Sequence, residues 1–110
     1  MPKSFLDEPA SKSAWLKRQI LSLYLQNDSY SIAEISNEIG TSIPTSTKLV
    51  QELIADGFLQ DLGKQGTSGG RRPSIFGLNP NAGYFVGVDV ARRHFHVAIT
   101  DFKGNLECFV

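Results

Sequence analysis

Apolar residues recur at helical spacing over three successive stretches and then at strand spacing over five, and that change of period organises the chain. From Ser13 to Leu25, the stripe Leu16, Ile20, Leu23 and Tyr24, widened by Trp15, Leu21 and Leu25, predicts an amphipathic helix. Ser13 is its candidate N-cap, Asn27-Asp28 ends it, and Trp15 is read as core. Ser31-Ile32-Ala33-Glu34 has capping-box spacing and opens a second helix, with Ile32, Ile35 and Ile39 on one face and Gly40 as a left-handed C-cap. A third helix begins after a very short turn. Ser42 is its N-cap, Pro44 lies in the first turn, Leu49, Val50, Leu53 and Ile54 face inward, and Gly57 closes it.

Strand-like runs come next. Phe58–Leu62 and Ser74–Leu78 flank the glycine-rich stretch GKQGTSGGRRP, although Gly77 weakens the second run. Asn79–Gly83 is dense in turn formers. Beyond it, Tyr84–Val90, His94–Thr100 and Leu106–Val110 predict a three-stranded antiparallel meander, which does not easily bury both its faces alone. The last run is still apolar where the sequence stops, so a longer protein is expected. The expected fold class is α+β. It comprises an arm (1–10), a winged helix-turn-helix of three helices and a β-hairpin wing (11–79), a connector (80–83), and the first strands of a further domain (84–110).

Charge sharpens this picture more than composition does. The chain is neutral overall, with 11 basic and 11 acidic residues among 110, which argues against indiscriminate polyanion binding. Yet residues 64–93 carry five Lys/Arg against one Asp/Glu, whereas residues 1–63 carry five against eight. Positive charge is thus focused on the glycine-rich segment and the residues just after it, as on a surface that meets phosphate. The single Cys108 excludes an internal disulfide and a cysteine-based zinc site, and its apolar run predicts a buried thiol in a reducing compartment. No run is long enough to span a bilayer, and the N-terminus has no signal-peptide pattern, so a cytoplasmic, membrane-free protein is expected.

In a helix-turn-helix the second helix of the pair enters the DNA major groove by its N-terminal turn. The candidate DNA-facing residues are therefore Ser42, Ile43, Pro44, Thr45, Thr47, Lys48 and Gln51. Hydroxyls and Lys48 suit phosphates, while Ile43 and the Thr45 methyl suit thymine methyls. Ile43 stands out because a solvent-facing isoleucine in a first helical turn has no packing rationale. Ser46 departs from the usual pattern, in which that position holds a buried β-branched residue. Small residues at Ser36 and Gly40 allow the two helices to cross closely. A trihelical protein-binding bundle would share this core and capping, and only the wing separates the two readings. Its candidate contacts are Lys64, Thr67, Ser68, Gly69, Gly70, Arg71 and Arg72, the arginines suiting a narrow, electronegative minor groove. A phosphate-cradling P-loop lacks its Gly-Lys-Ser/Thr ending here, and a mere linker would not alternate into apolar strands.

Taken in order, SIPTSTKLVQELIADGFL, GKQGTSGGRRP, YFVGVDV and HVAITDFKGN resemble the N-terminal part of a ROK-family transcriptional repressor of the xylose- and N-acetylglucosamine-repressor type. The resemblance implies a winged helix joined to an actin-like (ribonuclease H-like) sugar-binding domain. It also implies a double-stranded DNA operator, a sugar or sugar-phosphate effector and homo-oligomerisation through the C-terminal domain. Any zinc and sugar contacts would lie beyond residue 110, with no cofactor in this segment. Glucose kinases of the same superfamily place an Asp-x-Gly-Gly-Thr phosphate loop after the first strand. Here Asp89-Val90-Ala91-Arg92-Arg93 keeps the aspartate without the glycines, so no enzyme activity is expected. The rival readings are a sugar kinase with an accessory N-terminal domain and a winged-helix protein-interaction module. His94 and His96 share a strand face but lack a third ligand nearby, which favours a solvated strand surface over a metal pair. Turn chemistry accounts for Asp89 and Asp101, and Arg92-Arg93 read as a soluble hairpin tip or an extension of the basic surface.

Overall fold

A computed structural model describes residues 11–64 and 73–110, which fall into two units divided between Leu78 and Asn79. In the first unit, α1 (Lys12–Leu23), α2 (Ile32–Ile39) and α3 (Ile43–Ala55) lie with a small antiparallel sheet formed by β1 (Tyr30–Ser31), β2 (Leu59–Lys64) and β3 (Ser74–Leu78) in the order β1-β3-β2. The expected α+β winged helix is present. Ile20, Ile35, Val50, Leu53 and Leu59 are buried at its centre.

Helix ends obey the capping chemistry, with one shift. Ser11, not Ser13, caps α1, because its hydroxyl accepts the Ala14 amide at 3.0 Å. The helix therefore starts earlier and ends at Leu23, and Trp15 turns outward with 56% exposure rather than joining the core. Ala14 and Leu16 take the inward positions instead. The Ser31–Glu34 capping box forms in full, and Gly40 closes α2 with φ 70°. Ser42 caps α3, with Pro44 in its first turn.

Ser46 is completely buried and accepts a hydrogen bond from the Ser36 hydroxyl at 2.8 Å, while also sharing one with the Thr41 hydroxyl. A serine stands here, in place of the usual β-branched residue, as a polar hub inside the helix crossing. Three hydroxyls satisfy one another where apolar side chains would hold the backbones further apart. From the other side, buried Lys17 of α1 reaches Glu52 of α3 at 2.9 Å.

The wing is rooted in α1. Tyr24 donates its hydroxyl to the Phe76 carbonyl of β3 at 2.8 Å, and Tyr30 donates to the Leu23 carbonyl at 2.8 Å while its ring meets Tyr24 edge-on. Burial, followed by the neighbouring Tyr30 and Glu34, pushes the Tyr24 phenol above its usual pKa, so it remains a donor. Gly77, which weakened the strand prediction, sits at a close approach between segments. A Cβ there would lie 2.8 Å from Leu62 Cδ1 and 3.0 Å from the Asp28 carbonyl oxygen. On the facing strand, opposite Phe76 and Ile75, the register slips between Asp61 and Gly63, where Gly63 has φ 91° and donates its amide to Asp61 Oδ1 at 2.7 Å.

The second unit begins with a single 3-10 turn, Pro80–Ala82, for which the Asn79 side chain accepts the Asn81 amide. The predicted meander is formed by β4 (Tyr84–Val90), β5 (Phe95–Asp101) and β6 (Leu106–Phe109), antiparallel in sequence order. Asp101 holds the β5–β6 turn: Oδ1 accepts the Lys103 and Asn105 amides, and Oδ2 accepts Asn105 Nδ2. The Asn105 side chain above all, then these amides, holds the Asp101 carboxyl below its ordinary pKa. Cys108 is exposed rather than buried, as are Tyr84, Phe85, Val86, Val88, Leu106 and Phe109. Within this unit three strands have too little beside them to cover either face.

Ser46→Ala is expected to destabilise the chain by about 1–3 kcal/mol in urea denaturation, because the Ser36 hydroxyl loses its buried acceptor. Adding Ser36→Ala should cost less than the sum of the single changes, since the buried Ser36 hydroxyl is then no longer left without its acceptor. Strict additivity would show that the hub is not a unit.

Candidate nucleic-acid interface

The N-terminal turn of α3 stands open to solvent. Ile43, Pro44, Thr45, Lys48 and Gln51 are exposed, as expected for a reading surface, and Ile43 is 50% exposed despite its size. Beneath them Ser46, Leu49, Val50 and Leu53 anchor the opposite face. The period of the helix thus separates a buried stripe from an outward one carrying an apolar knob, a hydroxyl, a cation and an amide.

Two predicted hydroxyl contacts have work inside the helix. Ser42 accepts the Thr45 amide at 3.3 Å and donates to Thr45 Oγ1 at 2.9 Å. Thr47, half-buried, donates to the Ile43 carbonyl at 2.8 Å, so its proton is used within the turn and its methyl and lone pair remain to offer. Thr45 differs: its oxygen accepts from Ser42, which leaves its own proton for an outside acceptor. The first turn therefore offers one hydroxyl donor, Thr45, beside the apolar Ile43, a pairing suited to a thymine methyl next to a base or phosphate acceptor.

Lys64 is exposed at the outer end of β2 and marks the base of the wing. The remaining predicted wing contacts, Thr67, Ser68, Gly69, Gly70, Arg71 and Arg72, lie outside the described residues.

Sequence reasoning missed one feature. A groove of about 330 Å³ runs between α1 and α3, lined by Lys12, Ser13, Leu16, Thr45, Lys48, Leu49 and Glu52. It joins the first turn of α1 to the outward side of α3. The signal in the sequence was only Lys12 and Ser13 at the head of a helix, which periodicity alone does not place against another element.

In the second unit, His94 and His96 stand with ring centroids 5.1 Å apart, and His96 stacks on Phe109. Among the described residues no group of three His, Cys, Asp or Glu side chains is placed to hold a metal ion. Arg92 and Arg93 are exposed at the tight β4–β5 turn, closed by the Ala91 amide on the His94 carbonyl.

Residues 16–60 match the family model for winged helix-turn-helix DNA-binding domains. The chain is 31% identical over 90 residues to the xylose repressor of Bacillus subtilis (strain 168), covering 82% of this chain and 23% of that protein. It is 32% identical over 79 residues to the xylose repressor of Lactiplantibacillus pentosus, covering 70% of this chain and 20% of that protein. The chain thus spans less than a quarter of the length of these curated relatives. In fold it matches a crystal structure of a ROK family transcriptional regulator, a homologue of the E. coli MLC protein. That match has a TM-score of 0.59 and 15% identity over 87% of this chain and 25% of the other. The model match, the repressor relatives and the shared fold agree: residues 16–60 match a winged helix-turn-helix, the chain is similar in sequence to xylose repressors, and its fold is that of the ROK family regulator.

Proposed function

We propose that this chain is the DNA-reading portion of a sugar-responsive transcriptional repressor of carbohydrate-metabolism genes. The observation that carries the reading is the open first turn of α3, where Ile43 stands half exposed over a helix whose inner face is fully anchored. An exposed isoleucine costs hydration without stabilising the fold, and a thymine methyl in the major groove supplies the apolar contact it lacks. The basic wing gives the second grip, through Lys64 and the arginines Arg71 and Arg72 of the sequence.

The repressor names of the relatives support an operator as the partner and a sugar as the effector. On this reading the sugar, any zinc and the oligomer contacts belong to the part of the relatives' length that this chain does not span. Catalysis forms no part of the proposal, because Asp89 leads into a tight arginine hairpin instead of a glycine-rich phosphate loop. Among the described residues no helix is long and apolar enough to cross a membrane, and a regulator that reads operators acts in the cytoplasm.

Ile43→Ala should weaken binding to the selected site by about 1–3 kcal/mol and relax the base preference at one position, as read by selection from a random duplex pool. An unchanged selection profile would remove α3 from the interface. Arg71→Ala with Arg72→Ala should weaken binding across sequences and lower the slope of log affinity against log salt by about 1.8. A slope equal to wild type would sink the wing assignment. In the full-length protein, operator affinity should shift with one of a panel of free sugars and sugar phosphates; indifference to all of them would discard the effector.

A further inference from the structure

We infer that the groove between α1 and α3 seats the DNA backbone, with Lys12 and Ser13 holding a phosphate next to the one held by Lys48. The inference rests on the DNA-binding reading and extends the interface to a third element, the first turn of α1.

Continuity is the first argument. Thr45 and Lys48 line the groove and also belong to the outward face of α3, so a duplex entered by that face would run its sugar-phosphate strand past the groove mouth. Charge is the second. Lys12 and Lys48 are exposed on the two sides of the groove, and among the described residues neither has an ion-pair partner. The groove's single carboxylate, Glu52, is held by Lys17 at 2.9 Å, so its charge is already countered from within. Shape is the third: Leu16 and Leu49 form an apolar floor, and Ser13 and Thr45 add hydroxyls. Such a lining suits deoxyribose carbons below and phosphate oxygens at the rim. An acidic peptide would satisfy the lysines too, but it would not explain why the groove opens onto α3's reading turn.

The test compares Lys12→Ala and Lys12→Arg with wild type on two duplexes, one selected by the chain from a random pool and one unrelated. Each is titrated over a range of salt, and each variant's fold is checked by circular dichroism. Lys12→Ala should lower affinity for both duplexes alike, by roughly three- to tenfold. It should also lower the salt slope by about 0.9, with Lys12→Arg restoring both. A fully folded Lys12→Ala with wild-type affinity and slope would overturn the inference, leaving the groove to a protein partner. A change in preference between the two duplexes would also overturn it, because a phosphate contact carries no sequence information. If wild type binds neither duplex, it is the DNA-binding reading itself that fails.

Discussion

The winged-helix unit depends on how closely α2 and α3 cross. Only Gly40, Thr41 and Ser42 join the two helices, so their backbones must approach within the reach of small side chains. Ser36 and Ser46 meet at that crossing and bond to each other, and Thr41 in the turn completes the set. A hydroxyl hub is directional where an apolar contact is not, so it specifies an orientation as well as a distance. That orientation turns the first turn of α3 outward. Ile43, Pro44 and Thr45 are exposed because Ser46, one step further round the helix, is held at the centre.

The wing is held by a separate set of contacts. Tyr24 and Tyr30 tie the end of α1 to β3, and Gly77 lets Leu62 and the Asp28 carbonyl close over the strand. The Asp61–Gly63 bulge then bends β2 at the last point before the basic segment. Lys64 is the next residue along. α1 thus braces α3 through Lys17, and the wing through its C-cap Tyr24, so both elements share one support.

The second unit is built the opposite way. Its hairpins are well specified locally, with Asp101 accepting three hydrogen bonds across one turn, yet its sheet leaves large apolar side chains uncovered. Strand register needs only backbone pairing and turn chemistry, whereas burial of a sheet face needs another layer. Cys108 is exposed for this reason, although the apolar run around it pointed to a core position.

Local chemistry made much of this protein legible from sequence. The Ser31–Glu34 box, Gly40, Ser42 with Pro44, and the alternating runs of the meander each act within a few residues, and each forms as the residues themselves dictate. Period alone also separated the buried Leu49, Val50 and Leu53 from the exposed Ile43, Lys48 and Gln51. What needed the tertiary structure were the pairings between distant segments. Trp15 faces outward because Ala14, Leu16 and Ile20 take the inward face of α1, and Ser11 caps that helix in place of the candidate Ser13, a choice between neighbouring serines that spacing cannot make. The two-residue strand β1 is too short to carry a period, and it exists because β3 offers it an edge. Ser46 looks anomalous until Ser36 and Thr41 are placed around it, and Gly77 looks like a strand breaker until Leu62 lies where its Cβ would be. Sequence by itself determined the elements and the chemistry they carry, because capping and periodicity are local. Only the tertiary structure decided which polar groups would be buried and which groove would open beside α3, because both depend on partners far away in the chain.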